Sequence, residues 1–345
     1  MNIDELLKSI NKDGKIVTAA KDAGIKEWVS TGMFAMDDAL GGGIPTGGPV
    51  FFEGKPSSGK SAFAYYMAGR MIKKNKGKAL IIQSEAGFDK KWAAKCGLPL
   101  KDTAICDSVK DLGLALDFVL KTFAERDDIN CLIFDSLSGL GDTSTTVSDS
   151  HSRGERAIPQ NRFFRKLANA INQPIDPLLM FMEHLHPNVA SSYGGQVTSG
   201  GETKKYMSIL TMRFQKQYQG STVVVFDPKI SKEEETVEML VGWDVQKNKG
   251  GPAGSKGTFN LGLRDSEVSV AGRIDNYRGL FTEALLRKIV TKAGSWYKFG
   301  DEKFHGEANF KKGVTADTLE KLIIEARKGV REASSKGDGG KDNPE

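Results

Sequence analysis

The 345 residues hold 49 Lys and Arg against 44 Asp and Glu, a net charge of +5, with three cysteines. That length allows one large or two unequal domains with a sizeable core, and the mild basic surplus permits contact with nucleic acid without demanding it. No stretch approaches a membrane span, the amino terminus lacks the apolar run of a secretory signal, and Cys96, Cys106 and Cys131 form no disulfide framework, so a reducing, cytoplasmic setting is expected.

In chain order, Ile3, Leu6, Leu7 and Ile10 fall at helical spacing, and a Gly/Lys/Asp-rich break leads to the apolar pair Ile16-Val17. This predicts a helix-plus-strand arm over residues 1–27, whose apolar stripe needs a partner to bury it. From 28 to 270, β-rich runs at Val50-Phe52, Ala79-Gln83, Cys131-Phe134, Leu178-Met182, Thr222-Phe226 and Val237-Val245 alternate at first with amphipathic helical stretches. That alternation predicts an α/β core around a mostly parallel sheet. Beyond Tyr277 the period is helical again, with Phe281, Ala284, Leu285 and Ile289 on one face and Leu319, Leu322, Ile323 and Ala326 on another. We assign a small α+β carboxy-terminal domain to 271–332, and the polar residues 333–345 read as a disordered tail.

The octapeptide Gly54-Lys55-Pro56-Ser57-Ser58-Gly59-Lys60-Ser61 follows the apolar run Val50-Phe51-Phe52 and leads into a helix-forming stretch, and with the adjoining Ala62 it makes up the candidate nucleotide-binding residues. Glycines at these positions let successive backbone N–H groups turn inward around phosphates, while the following helix presents the positive end of its dipole. Lys60 would neutralise β/γ-phosphate oxygens, and the Ser61 hydroxyl would complete the coordination of Mg²⁺, which needs few protein ligands beside the phosphates. The chain is therefore expected to bind a nucleoside triphosphate.

In Cys131-Leu132-Ile133-Phe134-Asp135-Ser136 an acidic residue ends a buried strand, at the sheet edge where open α/β sheets bind ligands. Asp135 is the natural support for the metal, and Ser136 beside it is a further candidate cofactor-binding residue. Gln83-Ser84-Glu85 ends the preceding apolar run, which puts Glu85 at the same edge, able to orient and deprotonate an attacking water.

The succession GKPSSGKS, SEAGFDKKWAAKCG, CLIFDSLSGL, the KNK triplet and AGSWYKFGDEKFHGEANF resembles the RecA-family recombinases from about Trp28 to about Gly329. The SEAG and FDS wording, with His184 where most members have Gln, is similar to the phage UvsX branch. The resemblance implies a RecA-like ATPase core, ATP and Mg²⁺ as cofactors, and DNA-dependent hydrolysis to ADP and phosphate. It further implies a helical filament on single-stranded DNA that pairs with homologous duplex and exchanges strands, with single-strand-binding and loader proteins as possible partners. It assigns Glu85 as the catalytic glutamate, Asp89 and Trp92 to the adenine, with Trp92 stacking on the base, and His184 to sensing the γ-phosphate. Lys247 and Lys249 match the pair that reaches into a neighbouring subunit's ATP site, as an arginine finger does.

Two loops are expected to meet DNA. The first runs from about Ser138 to Gln160, bordered by Arg156, with Arg165 and Lys166 on the next helix. The second runs from His186 to Gly201. There Val189 occupies the family's apolar wedge position between base triplets, and Gly200-Gly201 allow backbone amides close to phosphates. Both loops are poor in Lys and Arg, so one subunit should bind weakly and an array should recover affinity. Residues 277–345 hold 14 Lys/Arg against 11 Asp/Glu, and the chain does not end in the strongly acidic tail of many bacterial members. A hexameric helicase and a DNA-independent regulatory ATPase share parts of this pattern and stand as the alternatives.

Overall fold

The computed structural model describes residues 24–84, 87–107, 109, 111–137, 163–164, 166–167, 175–187, 196–198, 206–217, 224–225, 235–266 and 269–337. The residues that position the site come from a central sheet built of β3 (Pro49–Gly54), β4 (Lys78–Gln83), β5 (Thr103–Cys106), β6 (Ile129–Asp135), β7 (Leu178–Pro187), β9 (Leu210–Lys216), β12 (Glu238–Asn248), β13 (Lys256–Gly262) and β14 (Ile274–Asp275). Before it, β1 (Trp28–Val29) pairs with β2 (Ile44–Pro45) around the short α1 (Phe34–Leu40).

Across the sheet the strands run β14-β13-β12-β9-β3-β7-β6-β4-β5, with β8 (Gln196–Thr198) pairing on β7. From β9 to β5 every neighbour is parallel, whereas β12, β13 and β14 are antiparallel additions. β3 and β6, inside the parallel set, are buried on both faces, which is why they read as apolar runs rather than alternating ones, whereas the edge strand β5 is largely exposed. One face packs on α2 (Lys60–Asn75), where Phe52, Phe63, Phe214 and Phe259 interlock with ring centroids 5.2 to 6.4 Å apart. The other is covered by α4 (Leu112–Glu125) and by Phe163, Phe164 and Leu167, with Phe51, Phe134 and Phe181 at its centre. The short α3 (Lys90–Lys95) follows β4.

The carboxy-terminal region has its own core of Tyr277, Phe281, Tyr297, Phe310, Leu319 and Ile323. It comprises α5 (Tyr277–Leu286), the meander β15 (Val290–Ala293), β16 (Trp296–Phe299) and β17 (Glu302–His305), then α6 (Glu307–Gly313) and α7 (Ala316–Gly337).

Several expectations are corrected. Val224–Val225, within the run 222–226, forms β10, which pairs with β11 (Glu235–Thr236) in a small sheet separate from the central one. β9, β13 and β5 were not foreseen. Residues 274–275 form β14 of the central sheet, paired with Leu261 and Asn260. The last helix continues to Gly337, making the first part of the expected tail helical, while 338–345 lie outside the described residues. The second loop is partly strand: His186 and Pro187 end β7 and pair with Val197 and Gln196. The arm up to residue 23 lies outside the described residues, as do Glu85, Arg156, Arg165, Val189, Gly200 and Gly201.

Candidate active site

Strand β3 ends at Gly54, and α2 begins at Lys60, so the octapeptide forms the connection the sequence requires. Ser57 and Gly59 take left-handed backbone angles, φ +59° and +93°, which fold the loop back over the helix start. A side chain at Gly59 would be strained by that φ and would meet Val241 Cγ2 at 3.0 Å. The helix start has no side-chain cap, so its first N–H groups face the loop's concave side.

Lys60 is buried at 4% exposure and its ammonium donates to the carbonyls of Gly54 and Lys55, both at 2.9 Å, and to Ser58 Oγ at 3.4 Å. The cation is thereby held inside the loop, aimed where phosphate oxygens would take over those bonds. Ser61 Oγ donates to Asp135 Oδ2 at 2.7 Å, bringing the loop and the end of β6 together across 74 residues. A hydroxyl and a carboxylate are hard oxygen donors, and among the described residues no cluster of His, Cys, Asp and Glu could hold a metal by itself. The donor set therefore fits a hard cation carried in largely by phosphates.

Tyr65 lies one helical turn beyond Ser61 and was not singled out from sequence. Burial, helped by the Asp135 carboxylate, pushes its phenol well above the ordinary tyrosine range, so it stays a neutral wall of the site. Its ring meets Phe88 edge-on at 6.1 Å, which ties the segment before α3 to the phosphate-loop helix. On that segment Asp89 Oδ1 accepts from the backbone N–H of Lys91 at 2.8 Å and of Trp92 at 3.2 Å, so this carboxylate is a helix cap. Trp92 is half-buried against the core on the α2 side. His184 stands opposite Gly54 in the β3–β7 register, on the face shared with the loop.

A second charged feature escaped the sequence reading. Glu53, buried immediately before Gly54, accepts from Arg213 of β9 at 3.1 Å, and Glu183 lies beside it in register on β7. Arg213 is in turn level with Asp244 of β12, which pairs with Lys256 of β13 at 3.3 Å. The alternating apolar and polar residues of β9 put Arg213 on the sheet face away from α2.

Lys247 and Lys249 are not brought to the loop in their own chain. Lys247 pairs with Thr211, which pairs with Phe51, and Lys249 N–H bonds to Ile209 O, level with Pro49. At about 3.3 Å per residue and about 4.8 Å per strand, these lysines sit about 10 to 17 Å back along the strands from Gly54 and two strands aside. The nucleotide cradle lies on the far side of Gly54, which lengthens the gap. Burial and the neighbouring Lys249 charge lower the Lys247 ammonium from its ordinary range, and its Nζ donates to Tyr206 O at 3.3 Å.

Comparison with known proteins adds the lineage. The family model described as the RecA N-terminal domain matches residues 1–249. The chain is similar to Protein RecA of Chlorobaculum tepidum, 28% identical over 330 residues that cover 93% of this chain and 89% of the relative. Protein RecA of Herpetosiphon aurantiacus is 26% identical over 315 residues, 88% and 82% of the two chains, and that of Rhodopirellula baltica 29% over 278 residues, 79% and 68%.

Proposed function

The chain belongs to the RecA family, and on that premise we infer an ATP-dependent homologous-recombination protein, a DNA-dependent ATPase that forms filaments on single-stranded DNA and promotes pairing and strand exchange with a homologous duplex. Within this reading the loop from Gly54 to Ser61 holds the triphosphate, and Lys60 leaves its carbonyl partners for the β/γ oxygens. Ser61 and Asp135 hold Mg²⁺, which supplies charge neutralisation on the phosphates when bound. Glu85 takes the proton of the attacking water, His184 reads the γ-phosphate next to Gly54, and Asp89 and Trp92 border the adenine.

The observation that carries the shared-site part of this reading is the position of Lys247 and Lys249. They lie about 10 to 17 Å back along the strands from Gly54 and two strands aside, which supports a role toward a following subunit rather than their own nucleotide. Such a pair neutralises charge that develops during transfer, so hydrolysis requires assembly. ATP then acts as a switch between filament states through its different affinity for each. Arg156, Arg165, Val189, Gly200 and Gly201 are proposed for the DNA-facing loops, and single-strand-binding and loader proteins as accessory partners. The SEAG and FDS wording with His184 supports a phage-borne member. Among the described residues no helix is long and apolar enough to cross a membrane.

The test is ATP hydrolysis with and without single-stranded DNA, over a range of protein concentration and salt. Steep, cooperative stimulation that weakens as salt rises is the expected result. Turnover indifferent to DNA would point to a regulatory ATPase, and closed hexamers with ATP and DNA in electron micrographs to a helicase.

A further inference from the structure

The ends of β4 and β6 are joined more tightly than their backbone ladder requires. The ladder closes with Gln83 opposite Asp135 and with Ser84 N–H donating to Asp135 O at 3.0 Å. Beyond it, the Ser84 side chain takes both backbone groups of Ser136: its hydroxyl donates to Ser136 O at 2.7 Å and accepts from Ser136 N–H at 2.9 Å. One side chain thus makes a two-point clamp across 52 residues of sequence, and Ser136 itself is fully buried.

What the clamp joins gives it meaning. Ser84 is one peptide bond from Glu85, and Ser136 is one peptide bond from Asp135, whose carboxylate holds the Ser61 hydroxyl. A continuous chain of bonds therefore runs Ser61, Asp135, Ser136, Ser84, and ends where the chain departs for Glu85. The hydroxyl is suited to this task because it can donate and accept at once, whereas Ala or Cys could not hold both backbone groups. We propose that Ser84 is a positioning residue for hydrolysis, fixing the start of the Glu85 segment in register with the metal-supporting end of β6.

This inference rests on the reading of Glu85 as the residue that activates water. Proton abstraction is steeply sensitive to placement, and a displacement of about 1 Å can cost about a hundredfold in rate. Binding of the triphosphate depends instead on the loop and Lys60, to which the Ser84 hydroxyl makes no direct bond, its two partners being the backbone groups of Ser136. Loss of the clamp therefore separates turnover from affinity.

The experiment compares Ser84→Ala, Ser84→Thr and Glu85→Gln in the full chain. It measures DNA-stimulated kcat per stoichiometric nucleotide site, KM for ATP, and equilibrium binding of a fluorescent ATP analogue. Expected are a roughly tenfold or greater fall in kcat for Ser84→Ala with KM and analogue affinity unchanged, and recovery of most of the rate in Ser84→Thr, which keeps the hydroxyl. Counting sites by nucleotide binding removes any misfolded fraction from kcat, so a merely structural role would leave it unmoved. Wild-type kcat in Ser84→Ala, a parallel loss of rate and nucleotide affinity, or failure of Ser84→Thr to recover would overturn the proposal. Full turnover in Glu85→Gln would sink the underlying assignment of Glu85 instead, and is read independently of the Ser84 result.

Discussion

If Lys247 and Lys249 complete a neighbour's site, two inactive variants should repair each other in a calculable way. The Lys247→Ala/Lys249→Ala double variant keeps Glu85 and its own phosphate loop but offers no lysines to the next subunit. Glu85→Gln does the reverse. In a mixed assembly, an interface is complete only when the nucleotide side comes from the lysine variant and the lysine side from the Glu85 variant. For random incorporation the fraction of such ordered interfaces is the product of the two mole fractions, so turnover should trace a parabola peaking at about a quarter of wild type at equal amounts. Own-chain repair is excluded by the backbone geometry, because the lysines lie about 10 to 17 Å back along the strands from Gly54 and about 10 Å aside. The assay is DNA-stimulated phosphate release at fixed total protein as the ratio is varied. A flat line at the level of the separate variants would refute the shared site, and so would wild-type turnover in the lysine variant alone.

Replacing Lys60 with Ala should reduce hydrolysis by about a thousandfold or more while the far-ultraviolet circular dichroism spectrum stays the same, because the side chain bonds to the loop rather than to the sheet core. Changing Asp135 to Asn should raise the Mg²⁺ concentration for half-maximal turnover by roughly tenfold, since it removes the charge that receives Ser61, and a Mg²⁺ titration reads this directly. Stability should decline in alkali. Burial pushes the Cys96 thiol up to about 12 from an ordinary 9.0, so the stability it lends is complete below about pH 9 and is lost as pH rises toward 12. The urea midpoint should fall between pH 8 and pH 10, and the slope should flatten in Cys96→Ala.

How much of this was legible beforehand follows from the range of the interactions. The phosphate loop is local, an octapeptide that joins the last residue of a strand to the first turn of a helix, and Gly59 and Ser57 adopt the backbone that such a loop needs. Asp135 was equally readable, because an acid ending a buried apolar run must face the sheet edge. By contrast, Leu210–Lys216 alternates core and polar residues, Leu-Thr-Met-Arg-Phe-Gln-Lys, and carries no long apolar run, so β9 and its Arg213 passed unnoticed. β16 and β17 were hidden for the same reason, their half-exposed residues giving no run to detect. Asp89 carries a second task that the resemblance did not indicate: besides its expected place beside the adenine, its carboxylate caps the first turn of a helix. The Ser84 clamp could not have been found from sequence, since nothing local distinguishes a serine that bonds 52 residues away.

If the lysine pair completes a neighbour's site, its distance from the phosphate loop sets how activity counts with assembly size. A lone chain then owns two half-sites and no whole one. An open row of n chains has n − 1 junctions, so activity per chain begins at zero, reaches half its limit in a pair and approaches the limit only in long rows. A closed ring of n chains would have n junctions and no ends. On that proposal, specific activity at saturating ATP and DNA would be a ruler for mean filament length, and every break in a filament would silence one site without altering a single residue.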